Sequence, residues 1–213
     1  MTNMGIITLI AVLIIINISD SYANDSNVKR YKNESNEGKK YFSIVGGYVS
    51  AFESDIDFPP VPNVAYSFDF DSTYTIGGAF GYYPSDRLRI EGELTYRKSK
   101  VDSLSINGTP TSWDEEITLW NWMANTFYDV PVSQYFEPYI GGGIGISHNA
   151  EQGEAAFAYQ GMVGINFDID YASSISTGYR YFATTNFDSQ RIGGLAEFSV
   201  TQHIYELSYR LKF

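Results

Sequence analysis

The chain has 213 residues, no cysteine and a formal net charge of −11. That length suits one domain, and the lack of cysteine excludes disulfides, thiolate metal sites, a catalytic thiol and a lipidated N-terminal cysteine. The acidic balance lacks the basic footprint that nucleic acid demands, so no nucleic-acid partner is expected, and no cofactor either.

Residues 1–23 read as an export signal. Gly5 to Ile18 is an apolar run, shorter than the roughly 20 residues of a spanning helix but right for a signal core. Ser21-Tyr22-Ala23 follows, with small residues where a signal peptidase reads, although MTNM at the start carries no Lys or Arg. Residues 24–40 are polar and charged with little to bury, and read as a flexible leader.

Residues 41–213 break into segments of about ten residues, the length of a tilted membrane-spanning strand. The first expected strand is Tyr41 to Phe52, with Phe42, Ile44 and Tyr48 on one face, followed by a long Pro- and Asp-rich loop. The second, Thr73 to Tyr83, sets Tyr74, Ile76, Phe80 and Tyr82 against Thr73, Thr75, Gly77, Ala79 and Gly81. A tight turn at Pro84-Ser85-Asp86 leads to the third, Arg87 to Lys98. Here Leu88, Ile90, Leu94 and Tyr96 alternate with Arg89, Glu91, Glu93, Thr95 and Arg97. A period of two with one apolar and one polar face is the signature of a strand.

A second long loop is expected from Ser99 to Glu115, and then a fourth strand from Glu116 to Tyr128. The fifth, Phe136 to Ser147, alternates Ile140, Ile144 and Ile146 with glycines, and the sixth is Ala155 to Phe167. The seventh, Ser173 to Phe182, opposes Ile175, Tyr179 and Tyr181 to Arg180. A third long loop, Ala183 to Glu197, precedes the last strand, His203 to Phe213. In it Tyr205, Leu207, Tyr209, Leu211 and Phe213 share one face.

The expected fold is an all-β, eight-stranded antiparallel up-and-down barrel that crosses a membrane. Long and short connections alternate, as in outer-membrane barrels with short periplasmic turns and longer external loops. A soluble barrel alternates too and would turn its apolar face inward. Glycines on the charged face, aromatics at the strand ends (Tyr82, Tyr83, Tyr128 and Phe213 near the short turns) and the export signal favour lipid outside. A one-residue slip of the third strand would carry Arg89, Glu91, Glu93 and Arg97 into hydrocarbon, at about 2–4 kcal/mol for a midplane Arg.

Asn125-Thr126-Phe127-Tyr128-Asp129, then Pro138 to Gly145 (PYIGGGIG), Gly178-Tyr179-Arg180-Tyr181 and the aromatic final strand resemble the opacity-protein and porin family of small barrels. These are relatives of the OmpA membrane domain and include surface antigens. The resemblance implies insertion by the barrel-assembly machinery, with Tyr205, Leu207, Tyr209, Leu211 and Phe213 matching the family's C-terminal assembly signal.

Eight strands leave an interior that side chains fill. Arg89, Glu91, Glu93, Arg97, Arg180, Glu206 and Arg210 are expected there as a charge network that closes the lumen. The function then falls to the external loops: a surface-exposed antigen or adhesin, or a membrane scaffold. It would meet outer-membrane lipid and lipopolysaccharide, and a host or surface ligand through its loops. Phe58, Tyr66, Phe68, Phe70 and Trp113 are the candidate loop contacts. Tyr66, Phe68 and Phe70 also alternate, so they equally read as a strand extending the hairpin. The other readings are a narrow channel for small solutes and a lipid-modifying enzyme. Against the enzyme, Ser147 and His148 are neighbours on a strand and point apart, so no catalytic residue is assigned.

Overall fold

The computed structural model describes residues 35–57, 66–70, 73–106, 109–130, 132, 136–151, 153–189 and 196–213. Their side chains are described except in 50–73, 99–117 and 188–198. The export signal and the leader up to residue 34 lie outside the described residues.

Ten strands and no helix make up the described residues: β1 Lys40–Asp57, β2 Tyr66–Phe70, β3 Thr73–Ser85, β4 Leu88–Ile106, β5 Thr109–Asp129, β6 Phe136–Asn149, β7 Glu154–Asp168, β8 Ser173–Thr184, β9 Phe187–Ser189 and β10 Ala196–Lys212. Eight run antiparallel in chain order, and β10 pairs back onto β1 to close the cylinder. The short β2 and β9 are additions beyond one rim, on β4 and β10 respectively. The seam extends past β10. Lys40 N–H donates to Phe213 C=O at 3.0 Å, and Phe213 N–H returns a bond to Lys40 C=O at 2.8 Å. Full closure leaves no unpaired strand edge in the barrel wall.

The period-two pattern decides which face is which. Ile44, Ile76, Phe80, Ile140, Ile144 and Leu207 point outward and are each more than half exposed, while their neighbours Ser43, Thr75, Ala79 and Tyr139 are buried inside. The apolar face is therefore the outer one. An apolar belt of this kind is stable against lipid rather than water.

Some sequence expectations change, and one open alternative is decided; the last strand, expected from His203, begins at Ala196. The loop expected from Ser99 to Glu115 is a strand ribbon, because β4 continues to Ile106 and β5 begins at Thr109. Backbone pairing carries on past the apolar belt, from Lys100↔Glu116 to Ile106↔Thr109, interrupted by an irregularity between Val101 and Ser103. Alternation does not need hydrophobicity to persist, and β-branched residues such as Val101, Thr109 and Thr111 favour it. Tyr66, Phe68 and Phe70 lie in β2, paired with β4, so the strand alternative holds for their backbone. Finally, Tyr83 is not part of the outer aromatic girdle. It follows outward Tyr82, turns inward and is 2% exposed, with its ring edge-on to Tyr41 at 5.3 Å.

Glycine makes room for the aromatics inside. A Cβ at Gly81 would collide with the ring of Tyr41, and one at Gly141 would collide with Phe127. In a barrel this narrow, one strand gives up its side chain so that a neighbour can fill the axis.

Candidate functional site

The lumen is where the chain gathers its chemistry. At the short-turn end, Arg89 grips Asp129 through two parallel bonds, Nε to Oδ2 at 2.7 Å and Nη2 to Oδ1 at 2.8 Å. Register places them there, since Arg89 and Phe127 are paired on β4 and β5, two residues from Asp129. The Asn166 amide adds a third bond to the same carboxylate. The guanidinium lies 4.5 Å from the centre of the Phe127 ring. Lys212 reaches Asp168 at 3.2 Å beside it.

At mid-height Arg180 binds Glu93 with both of its terminal nitrogens, Nη1 to Oε1 at 2.5 Å and Nη2 to Oε2 at 2.8 Å. Its Nε lies 2.8 Å from Glu206 Oε2, in ion contact though off the N–H axis. A chain of amides extends this triad across the lumen. Arg180 donates to Gln160, Gln160 to Asn125, and Asn125 to Glu91, which also accepts the Tyr41 hydroxyl at 2.8 Å. Charges removed from water are stable only when paired and bonded in this manner. The space left among Arg89, Glu91, Glu93, Arg180, Glu206 and Arg210 is about 20 Å³, room for about one water.

Above the triad apolar side chains join the buried Thr95, Asn121, Ser147 and Gln202. Val49, Met123, Ala158, Phe182 and Ile204 form one cluster, and Leu119, Ala156, Phe187 and Val200 form a second. Arg97 is buried there with its guanidinium 3.8 Å from the centre of the Phe182 ring.

All seven lumen residues expected from the sequence (Arg89, Glu91, Glu93, Arg97, Arg180, Glu206 and Arg210) thus point inward, but not as one cluster. Arg180, Glu93 and Glu206 form the triad and Glu91 joins through amides. Arg89 pairs instead with Asp129, and Arg97 stands in the layer above, bonded to Gln202. Arg210 lies 5.0 Å from the Tyr41 ring and donates weakly to Tyr83 and Asn166. Sequence reasoning missed Asp129, read as part of a turn, and the buried aromatics Tyr41, Tyr83 and Tyr139. Their inward phase was the available signal, since Tyr41 alternates with Phe42 and Asp129 with Tyr128.

Tyr205, Leu207, Tyr209, Leu211 and Phe213 all face outward. Ser147 is buried inside while His148 is only partly covered on the other face, as strand alternation requires. Phe58 lies outside the described residues, and so do the side chains of Tyr66, Phe68, Phe70 and Trp113.

At the short-turn rim the end of the polar leader is tied down. The Ser35 hydroxyl donates to Asp86 Oδ1 at 2.6 Å, and Asn36 N–H donates to the same oxygen at 2.8 Å. The Ser35 hydroxyl, followed by the Asn36 N–H, holds the Asp86 carboxyl below its ordinary value. Gly38, at a φ of 85°, turns the chain so that its N–H meets Tyr83 C=O at 2.9 Å.

Comparison with known proteins agrees with this architecture. The profile of the outer membrane protein beta-barrel domain matches residues 19–213. The outer membrane protein OprG from Pseudomonas aeruginosa superposes with a TM-score of 0.60 at 15% identity, over 84% of this chain and 97% of that one. Neisserial surface protein A (NspA) gives a TM-score of 0.56 at 14% identity, over 83% and 98%. No curated protein sequence matches the chain. At these identities the two structures speak for the fold. The family profile, the closed cylinder and its apolar outer belt agree: the chain belongs to the outer membrane protein β-barrel domain family and is a bacterial outer-membrane barrel.

Proposed function

We propose that this protein is a surface-exposed, non-conducting barrel that works through its outer rim, as an antigen or adhesin or as a membrane scaffold, and is not an enzyme. The observation that carries the reading is the plugged lumen. The Glu93–Arg180–Glu206 triad spans it, about 20 Å³ of free space remains beside the triad, and two apolar clusters lie above. Moving a solute through would strip paired buried charges of their partners. The rim with the short turns, where Lys40 and Phe213 meet, is the periplasmic one in this reading. The β4–β5 ribbon and β2 then project outside, carrying Tyr66, Phe68, Phe70 and Trp113 toward lipopolysaccharide or a host or surface ligand. The outward row ending in Phe213 serves the barrel-assembly machinery.

The test is a planar-bilayer recording of the refolded full chain. The expected trace is flat at physiological salt. Reproducible unitary steps that survive repurification would sink the reading in favour of a narrow channel for small solutes. In parallel, replacing the β4–β5 ribbon by a short turn is expected to abolish cell-surface or lipopolysaccharide binding while the barrel still folds.

A further inference from the structure

Arg97 is the buried cation whose partners do not add up. It is 1% exposed. Its Nη1 donates to Gln202 Oε1 at 2.9 Å, and the Phe182 ring covers one flat face at 3.8 Å. Its Nε and Nη2 have no hydrogen-bond acceptor among the described residues, and neither does the Gln202 amide nitrogen. Thr75 pairs with Arg97 across β3 and β4, and its buried hydroxyl is unbonded as well. Nε and Nη2 form one edge of the guanidinium with two parallel N–H groups, the fork by which arginine takes an anion. The carboxylates below make no hydrogen bond to this edge: Arg180 holds both oxygens of Glu93 and contacts Glu206 Oε2. Buried donors of this kind cost stability unless an acceptor reaches them.

We propose that the Nε–Nη2 edge of Arg97 binds a small monovalent anion of halide size, with the Gln202 amide and the Thr75 hydroxyl as further donors. Size follows from the walls. Leu119, Met123, Phe182 and Ile204 are at most 3% exposed and close the layer to anything bulky. Charge follows from the balance with the layer below, where Glu93 and Glu206 are offset by Arg180 and by Arg97 itself; each added negative charge works against that balance, and a divalent ion does so twice over. Phe187 and Val200, packed with Leu119, seal the site from the long-connection rim, so the ion is taken up as the barrel closes.

The experiment refolds the full chain in detergent with sodium gluconate, an anion too large for the site. Parallel samples are refolded in chloride or bromide at the same ionic strength, so that the ion is present as the barrel closes, and the midpoint of heat-modifiable gel migration is read. The midpoint is expected to rise and saturate with halide. Gln202→Glu puts a carboxylate on the guanidinium itself and is expected to fold and lose at least ten-fold of the halide sensitivity. Arg97→Gln is expected to lose the response altogether. Crystals grown with bromide should show anomalous density at Nε and Nη2. A halide response unchanged in Gln202→Glu overturns the proposal, as does stabilisation by gluconate equal to that by chloride. An ordered water at Nε and Nη2 in the bromide crystals overturns it too.

Discussion

Arg180 holds two carboxylates and an amide with one guanidinium, so its loss would leave Glu93 and Glu206 buried and unpaired. Arg180→Met is expected to destabilise the barrel by about 3–5 kcal/mol, measured by equilibrium unfolding in detergent micelles. Replacing all three partners by apolar residues of similar volume should cost less than this single change, because no charge is then stranded. Glycines divide by face in the same manner. Gly141→Val drives a side chain into Phe127 and is expected to cost about 1–3 kcal/mol from overpacking. At Gly161 an added Cβ meets nothing within 4 Å, and Gly161→Ala should stay within about 0.5 kcal/mol. Equal melting of these two variants would contradict the assignment of faces. The charged residues that point inward were legible from alternation alone. Which acid meets which base was not, because Arg89 and Asp129 are 40 positions apart in sequence and only the β4–β5 register joins them.

Among the elements, the β4–β5 ribbon and the leader turn behave differently from the sequence expectation for a common reason. Both are polar, and polarity hides structure that hydrogen bonds rather than apolar alternation announce. The ribbon beyond Lys100↔Glu116 is held by strand pairing. Excising it should leave the heat-shift midpoint of the barrel within a few degrees of the parent. The leader turn rests on Asp86, whose carboxyl sits below its ordinary value of 3.8 through the Ser35 and Asn36 bonds. A depressed carboxylate stabilises the folded form above its unfolded value, and that stabilisation is lost as pH falls through the folded value. The protection of the Asn36 and Glu37 amides over their intrinsic exchange rates should therefore be high at neutral pH and fall, relative to Asp86→Asn, only at acid pH below about 4. An equal response in Asp86→Asn would show that another group controls the turn.

For the whole molecule, closure is the organising fact. With β10 bonded to β1 along its length, the wall has no edge from which to fray, and the interior packs as one column of charge, amide and apolar layers. Such a cylinder is expected to migrate anomalously on gels until boiled, with strand-type circular dichroism persisting to high temperature. A soluble monomer without detergent, and no heat shift, would contradict the outward apolar belt. Lumen variants extend the test of conduction. Replacing Glu93, Arg180 and Glu206 together by alanine removes the mid-height plug, yet the layer of Met123, Phe182 and Ile204 remains. Bilayer current should then rise only when Phe182 is cut back as well.

Strand number, the phase of each strand and the inward address of Arg89, Glu91, Glu93, Arg97, Arg180, Glu206 and Arg210 follow from a local rule. Successive side chains on an extended chain point to opposite faces, and a run such as LRIEGELTYRK can satisfy a lipid face in one phase only. Tertiary structure decided the rest: how far the strands run past the belt, which rings enter the lumen, the Arg89–Asp129 and Arg180–Glu93 partnerships, and the burial of Arg97 against Phe182. Each depends on the stagger between neighbouring strands and on closure of β10 upon β1. Those are set by the sum of pairings around the cylinder, and no single segment of sequence contains that sum.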